Sequence, residues 1–197
     1  ALAVHEEMGK VDAGFATTMG ATGLAIKPVL IAGTPEQKQY YADIVTNGKF
    51  AAFCLTEPNA GSDAGATKTT AVLDGDEYVI NGRKCFITNG GIADVYVVFA
   101  TLDKSKGLKG ITAFIVERNR PGVSTGKEED KMGIRLSNTC DVLFEDVRVP
   151  VANRLGAEGE GFKIAMKTLD LSRPYIGAIA VGIAQRALDE AVKYSKE

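Results

Sequence analysis

Residues 53–66 read FCLTEPNAGSDAGA, and the rest of the chain is best understood outward from them. Apolar Phe53 and Leu55 come first, then Thr56-Glu57-Pro58, then small and polar residues. Pro, Asn, Gly, Ser and Asp each favour turns for a separate backbone reason. The stretch therefore marks a short apolar segment that leaves the core and turns. Thr56 and Ser62 add hydroxyls. Ala60-Gly61 lets backbone N–H groups approach a phosphate or a planar ring without side-chain obstruction. No lysine follows at P-loop spacing, so ATP binding is not favoured.

The hydrophobic period changes at this turn. Residues 1–48 read as helix, with Leu2, His5 and Met8 at helical spacing. Gly20 and Gly23 interrupt the next stretch, and Leu24 to Ile31 is strongly apolar. Thr34 is a good N-cap, Pro35 suits the first helical position, and Gln37 completes a capping box. Asn47-Gly48 ends that helix. Residues 49–152 read as strands: 51–55, 68–73, 78–80, 84–88, 95–100, 111–116 and 142–144. Asp74-Gly75 and Asn81-Gly82 read as hairpin turns that need positive φ. Short strands with close turns predict an antiparallel sandwich or barrel.

Residues 153–197 return to helix, behind a GAEGEG loop with Gly156, Gly159 and Gly161. The loop follows no βαβ unit, so it reads as a connector rather than a nucleotide fingerprint. Phe162, Met166 and Leu169, then Ile176, Ile179 and Ile183, keep helical spacing, and Pro174 predicts a kink or a break. The fold class is therefore α+β and multidomain: an antiparallel β-barrel or sandwich middle domain flanked by N- and C-terminal helical domains that both read as truncated. The last helix carries an apolar stripe that nothing else in the chain is long enough to cover.

Composition narrows the function classes. A net charge of −2 points to no nucleic-acid surface. No run of eighteen apolar residues suggests a membrane span. Cys54, Cys85 and Cys140 lie far apart without a CxxC pair, which fits reduced thiols in a cytoplasmic protein and argues against zinc. The one histidine, His5, reads as structural and argues against a His-based triad. The chain starts without Met and stops at KYSKE within a helical pattern, so both ends read as cut.

A second candidate segment is Phe86-Ile87-Thr88-Asn89-Gly90-Gly91. A strand ends there in a hydroxyl beside an aromatic, before a small-residue turn. Such a set could wall a flat heteroaromatic ring, and it equally reads as a buried strand end. Cys54–Asp63, CLTEPNAGSD, is similar to the signature of the acyl-CoA dehydrogenases. INGRKCFITNGG (80–91), KMGIRLSNTCDVLFEDVRVP (131–150) and GEGFKIAMKTLDLSRP (159–174) resemble later segments of that family, in the family's order.

The resemblance implies a helical N-terminal domain, a barrel-like middle domain and a C-terminal helical bundle, with FAD between the last two. It implies oxidation of an acyl-CoA to a trans-2-enoyl-CoA: a carboxylate takes the α-proton, and the β-hydrogen leaves as hydride to flavin N5. Phe53, Leu55 and Thr56 match positions lining the flavin. Gly61 and Ser62 match the turn at its pyrophosphate, and Ser62 also a position touching CoA. Phe86, Ile87 and Thr88 match a second flavin strand, with Phe86 where many members have Trp. Asp170, Leu171, Ser172 and Arg173 match a substrate-contacting helix. Asp170 and Arg173 read equally as a helix-surface ion pair.

No catalytic base is assigned within the chain. Most members carry a glutamate later in the bundle, expected after Glu197, and a subset carries it at the position of Ser172. The matching segments look most like short-chain, butyryl-type members. Ala16, near the place where glutaryl-CoA dehydrogenases carry an arginine, argues against a dicarboxylic substrate. The family implies an electron-transferring flavoprotein as acceptor, a homotetramer, and a cytoplasmic or, in eukaryotes, mitochondrial-matrix location. An acyl-CoA oxidase of the same fold and a non-catalytic acyl-CoA- or protein-binding module are the alternatives.

Overall fold

The computed structural model describes residues 2–197. Three helices open the chain: α1 (Leu2–Val11), α2 (Ala13–Ala32) and α3 (Pro35–Thr46). The Asp12 side chain caps α2 by accepting from the Phe15 N–H at 2.8 Å. The capping box of α3 is complete, with Gln37 N–H donating to Thr34 Oγ1 and Thr34 N–H to Gln37 Oε1. Gln37 Nε2 also donates to the carbonyls of Ala152 and Arg154, at 2.7 and 2.9 Å. One side chain thus starts a helix and ties it to the far end of the β-region.

Gly20 and Gly23, expected to interrupt the helical pattern, lie inside an unbroken α2. A glycine costs a helix interior about 1 kcal/mol relative to alanine. Tertiary packing outweighs that cost, because α2 lies against β1 and α4 and buries Ala16, Ala25 and Val29 completely. By length and composition alone α2 could cross a membrane. Here it forms a layer between the sheet and another helix.

Eight strands follow: β1 (Ala51–Cys54), β2 (Thr70–Asp74), β3 (Glu77–Thr88), β4 (Val95–Thr101), β5 (Ile111–Glu117), β6 (Val123–Thr125), β7 (Thr139–Pro150) and β8 (Arg154–Leu155). Their order is β6-β7-β3-β2-β4-β5-β8, with β1 paired to β4. The sheet is mixed, which corrects the antiparallel expectation. β1 and β4 run parallel in the register Ala51↔Val95 to Cys54↔Val98, and β2 meets β4 parallel at Thr70↔Thr101. The β2–β3 hairpin lies in the long connection that parallel pairing needs. Every residue of β4 is buried, as expected for a strand covered on both faces. One core gathers Tyr78, Tyr96, Phe114 and Phe144. A second joins Val97, Phe99 and Ile115 to Val29, Tyr41 and Ile164 of the helices.

Asp74-Gly75 makes the expected hairpin, with Gly75 at φ 64°. Asn81-Gly82 does not. It lies inside β3, where pairing with β7 jumps from Ile80↔Val147 to Gly82↔Phe144. The extra residue of this β-bulge lies on β7, where Asp146 takes φ 51°, and the bare Gly82 opposite lets β3 pass close to Thr69. Asn81 and Asp146 brace the bulge with two hydrogen bonds of 2.9 Å.

After β8, α4 (Gly161–Tyr194) runs as one 34-residue helix through Pro174, so the proline does not break it. Its N-terminal half packs on α2 and β5, and α1 lies along its later part, where Gly9 and Gly182 allow close backbone approach. Leu171, Ile176, Val181 and Leu188 remain exposed, matching the uncovered stripe expected from the sequence.

Gly82→Ala places a Cβ 2.8 Å from the Thr69 Cα, while Gly75→Ala meets nothing within 4 Å. Gly82→Ala is expected to cost about 1–3 kcal/mol, through the overlap with the Thr69 backbone. Gly75→Ala is expected to cost about 1 kcal/mol, from positive φ alone. Urea-denaturation midpoints check the order.

Candidate functional site

Sheet, α2 and α4 enclose an open cleft of about 930 Å³. Phe53, Leu55, Thr56, Gly61 and Ser62 line it from β1 and the following turn, and Phe86 and Thr88 from the end of β3. Gly20, Leu24 and Lys27 of α2 and Met166, Leu169, Ser172, Arg173 and Tyr175 of α4 line it from the helices. Two sequence segments about thirty residues apart thus meet at one surface.

Three of the expected residues do not line the cleft. Ile87 is buried in the sheet core, as alternation along β3 dictates next to the outward Phe86. Leu171 is exposed outside the cleft. Asp170 pairs with Arg173 at 2.5 Å, both side chains about two-thirds exposed, which is the helix-surface ion pair allowed for in the sequence. Such a pair contributes at most about 1 kcal/mol. Ser172 does reach the cleft, and its hydroxyl donates to the Leu169 carbonyl at 2.9 Å. Ala16 is fully buried and does not line the cleft, and as alanine it offers no cation to a distal carboxylate.

Phe86 has φ 55° and is 65% exposed. Pairing between β3 and β7 slips between Lys84 and Ile87, and this bulge turns Phe86 out of the sheet. A bulky residue in the left-handed region costs about 1–3 kcal/mol and persists only where its surroundings force it. The result is an aromatic face open to the cleft. In the turn after β1, a Cβ added to Gly61 would meet nothing within 4 Å, so no protein neighbour requires its smallness. Open space above a small-residue turn, two hydroxyls and an exposed aromatic form a cradle that fits a flat ring with a phosphate tail.

What sets this cradle is a buried ion pair that the sequence reading passed over. Lys84 Nζ donates to Glu57 Oε1 at 2.7 Å, to the Leu55 carbonyl at 3.2 Å and to Thr67 Oγ1 at 3.1 Å. Glu57 also accepts from Thr67 Oγ1 at 2.5 Å and from the N–H groups of Lys68 and Thr69 at 2.7 and 3.1 Å. The two side chains are 0% and 4% exposed. Burial opposes the charge on Glu57, but Lys84 and the hydroxyl and N–H donors outweigh it and hold the carboxyl at about 2. Burial also pulls Lys84 towards neutrality, and Glu57 beside it opposes that. With this geometry the pair is ionised. The signal in the sequence was Lys84 at the start of a strand-like run and Glu57 at the start of the turn.

Among the described residues, the ionisable ones lining the cleft are His5, Lys27, Arg173 and Tyr175, with no carboxylate. Lys27 Nζ lies 4.5 Å from the centre of the Tyr175 ring, and the His5 ring packs on the same tyrosine at 4.8 Å. Among the described residues no group of three His, Cys, Asp or Glu is placed to hold a metal, and Cys54, Cys85 and Cys140 are buried, unpaired thiols.

A mixed sheet with helices packed on one face, and a cradle where they meet, gives the chain a three-part architecture. Models of the N-terminal, middle and C-terminal domains of acyl-CoA dehydrogenases match residues 1–49, 52–147 and 159–197, and the chain belongs to that family. It is 53% identical over 195 residues to a short-chain-specific acyl-CoA dehydrogenase of Megasphaera elsdenii, covering 98% of this chain and 51% of that one. It is also 53% identical over 175 residues to the caffeyl-CoA reductase-Etf complex subunit CarC of Acetobacterium woodii, covering 88% and 46%. The solved butyryl-CoA dehydrogenase of Megasphaera elsdenii superposes with a TM-score of 0.94 at 52% identity, covering 98% of this chain and 51% of that one. The chain spans about half the length of the curated relatives it matches.

Lys84→Met leaves Glu57 buried without its cation and is expected to cost about 3–5 kcal/mol. Because Glu57 titrates at about 2 in the folded chain against an ordinary 4.5, its contribution is full above about pH 4.5. It is lost as the pH falls from there through about 2. Chemical denaturation between pH 6 and 2 is expected to show this loss in the parent and a flatter profile in Glu57→Gln.

Proposed function

We propose that the chain is the cofactor-binding part of a short-chain acyl-CoA dehydrogenase, one that removes an α-proton and a β-hydride to give a trans-2-enoyl-CoA. The observation that carries this reading is the cradle at the junction of β1 and β3, facing α4 across a cleft without a carboxylate. FAD is the cofactor that fits the cradle, and when bound it supplies the two-electron acceptor. Phe53, Leu55 and Phe86 shield the ring from water. The hydroxyls of Thr56 and Thr88 would meet its polar edge. The backbone at Gly61 and Ser62 would approach the pyrophosphate, and Ser62 would touch CoA as well.

The acyl thioester then lies between the cradle and α4, against Leu169 and Ser172. An α-proton beside a thioester is weakly acidic, so its removal calls for a desolvated carboxylate with a raised pKa. No described residue lining the cleft supplies one. The Ser172 hydroxyl is engaged with the Leu169 carbonyl and does not substitute. The base therefore comes from a segment outside these residues. The uncovered apolar face of α4 supports further helices and a homotetramer assembled through them. An electron-transferring flavoprotein is the proposed acceptor, in a reducing compartment such as the bacterial cytoplasm. CarC, at the same identity, is described as a reductase subunit of an Etf complex, so the opposite direction, reduction of an enoyl-CoA, is the second reading.

Anaerobic titration separates these outcomes. The 197-residue chain with FAD is expected to bind flavin and keep its absorbance when butyryl-CoA is added. The protein that also carries the base is expected to bleach with butyryl-CoA more readily than with octanoyl-CoA. Reoxidation of its reduced flavin by an enoyl-CoA faster than by an electron-transferring flavoprotein would favour the reductase direction. Failure of any form to bind FAD would overturn the proposal.

A further inference from the structure

The buried ion pair touches the wall of the cradle at the peptide between Leu55 and Thr56. Lys84 Nζ donates to the Leu55 carbonyl at 3.2 Å, and the Lys84 side chain is fully buried, so this carbonyl points into the protein. The described peptide bonds are all trans, and across a trans peptide the C=O and N–H point in opposite directions. The Thr56 N–H therefore points away from Lys84, to the side where Leu55 and Thr56 line the cleft. It meets no acceptor among the described residues. The Thr56 carbonyl accepts from the Cys85 N–H at 2.9 Å, so the backbone that carries this donor is held on both sides.

A fixed N–H without a partner at the wall of a cleft is an offer to a ligand, since leaving it unpaired and dry costs free energy. This donor is also stronger than an ordinary amide. Hydrogen bonds in a chain polarise one another by roughly 10–30% per bond, and an ionised donor makes a stronger bond than a neutral one. Glu57 engages Lys84, Thr67 and the N–H groups of Lys68 and Thr69, so of the two charges it is the ammonium that touches the Leu55 carbonyl. On the proposed function, on which this inference rests, the ligand on that side is the flavin ring. A flavin gains negative charge on its polar edge when it is reduced. A preorganised donor aimed there stabilises the reduced ring more than the oxidised one.

We propose that Lys84 is a positioning residue that acts on the cofactor through the Leu55–Thr56 peptide, strengthening a backbone donor at the polar edge of the flavin and raising the flavin's reduction potential. Glu57 holds the ammonium against that carbonyl. The pair thus has an electronic task besides the mechanical one of fixing two strands.

The test uses the protein as its gene encodes it, loaded with FAD, and reads the midpoint potential and the infrared stretches of the ring carbonyls. Lys84→Gln combined with Glu57→Gln removes both charges, keeps an amide at each position and leaves no buried ion unpaired. Its two-electron equilibrium is expected to shift at least tenfold towards oxidised flavin, a fall of about 30 mV. Its ring-carbonyl stretches are expected to move up as the hydrogen bond weakens. Lys84→Arg, which keeps the cation, is expected to stay close to the parent in both. A second comparison leaves the ion pair intact. Thr56→Pro removes the N–H without breaking a hydrogen bond within the protein, and Thr56→Val removes only the hydroxyl. The proline variant is expected to have the lower potential of the two. An FAD-loaded neutral pair with the parent's potential and stretches overturns the inference, because the ion pair would then serve only to hold the strands. Equal potentials in Thr56→Pro and Thr56→Val overturn it as well. A parent that takes up no FAD overturns the functional reading, and this inference with it.

Discussion

The contact between Lys84 and Glu57 governs the geometry of the cleft. Glu57 belongs to the turn after β1 and Lys84 to β3, and each carries one side of the cradle. The ammonium donates to the Leu55 carbonyl as well as to the carboxylate, and the Cys85 N–H donates to the Thr56 carbonyl at 2.9 Å. The residues before and after these anchors, Phe53 to Thr56 and Phe86 to Thr88, are therefore held in register. In energy alone, a buried ion pair is often no better than well-packed apolar residues. Its directional hydrogen bonds specify a distance between two backbones that apolar packing would leave adjustable. A ring bound between these strands needs that distance fixed.

The β3–β7 ladder carries two bulges, and each does something different. Opposite Asn81-Gly82 the extra residue belongs to β7, where Asp146 takes φ 51°, and Gly82 lets β3 pass close to Thr69. Between Lys84 and Ile87 the slip sends Lys84 inward and Phe86 outward. Just beyond, Asn89 adopts φ 65° while fully buried, and its Nδ2 donates to the Thr18 carbonyl at 2.9 Å. That bond pins α2 against the end of β3. The helical wall of the cleft is thus positioned by a residue next to Thr88, so both walls refer back to one strand.

Much of the fold was legible because it rests on local chemistry. The Thr34-Pro35-Gln37 box, the Gly75 hairpin and the strand periods from Val95 to Val116 follow from neighbouring residues. Asn81-Gly82 was misread because a glycine that suits a hairpin also suits a strand passing close to a neighbour, and only the surrounding strands distinguish them. The parallel pairing of β1 with β4 is invisible for a like reason, since apolar runs carry no direction. At the site, residues of the turn and of β3 line one cleft, while strand alternation turns Ile87 into the core and Asp170 pairs with its neighbour Arg173. Lys84 and Glu57 escaped notice because a charge in an apolar run shows its meaning only when its distant partner is known.

The open cleft has an energetic cost that the rest of the chain offsets. Gly20 and Gly23 each weaken α2 by about 1 kcal/mol relative to alanine. Phe86 holds a strained backbone to present its ring. None of these choices helps a closed core: Gly23 has no neighbour within 4 Å where a side chain would go, and the nearest atom to a Cβ on Gly20 is His5 Nε2 at 3.5 Å. The stabilising side lies one layer away, in the fully buried β4 and in Ala25 and Val29 of α2. Because α2 is anchored there on its buried face, its cleft face can be sparse without the helix fraying. Packing on one face of α2 thus leaves the other free for binding, and the period of 3.6 residues keeps those two tasks on separate side chains.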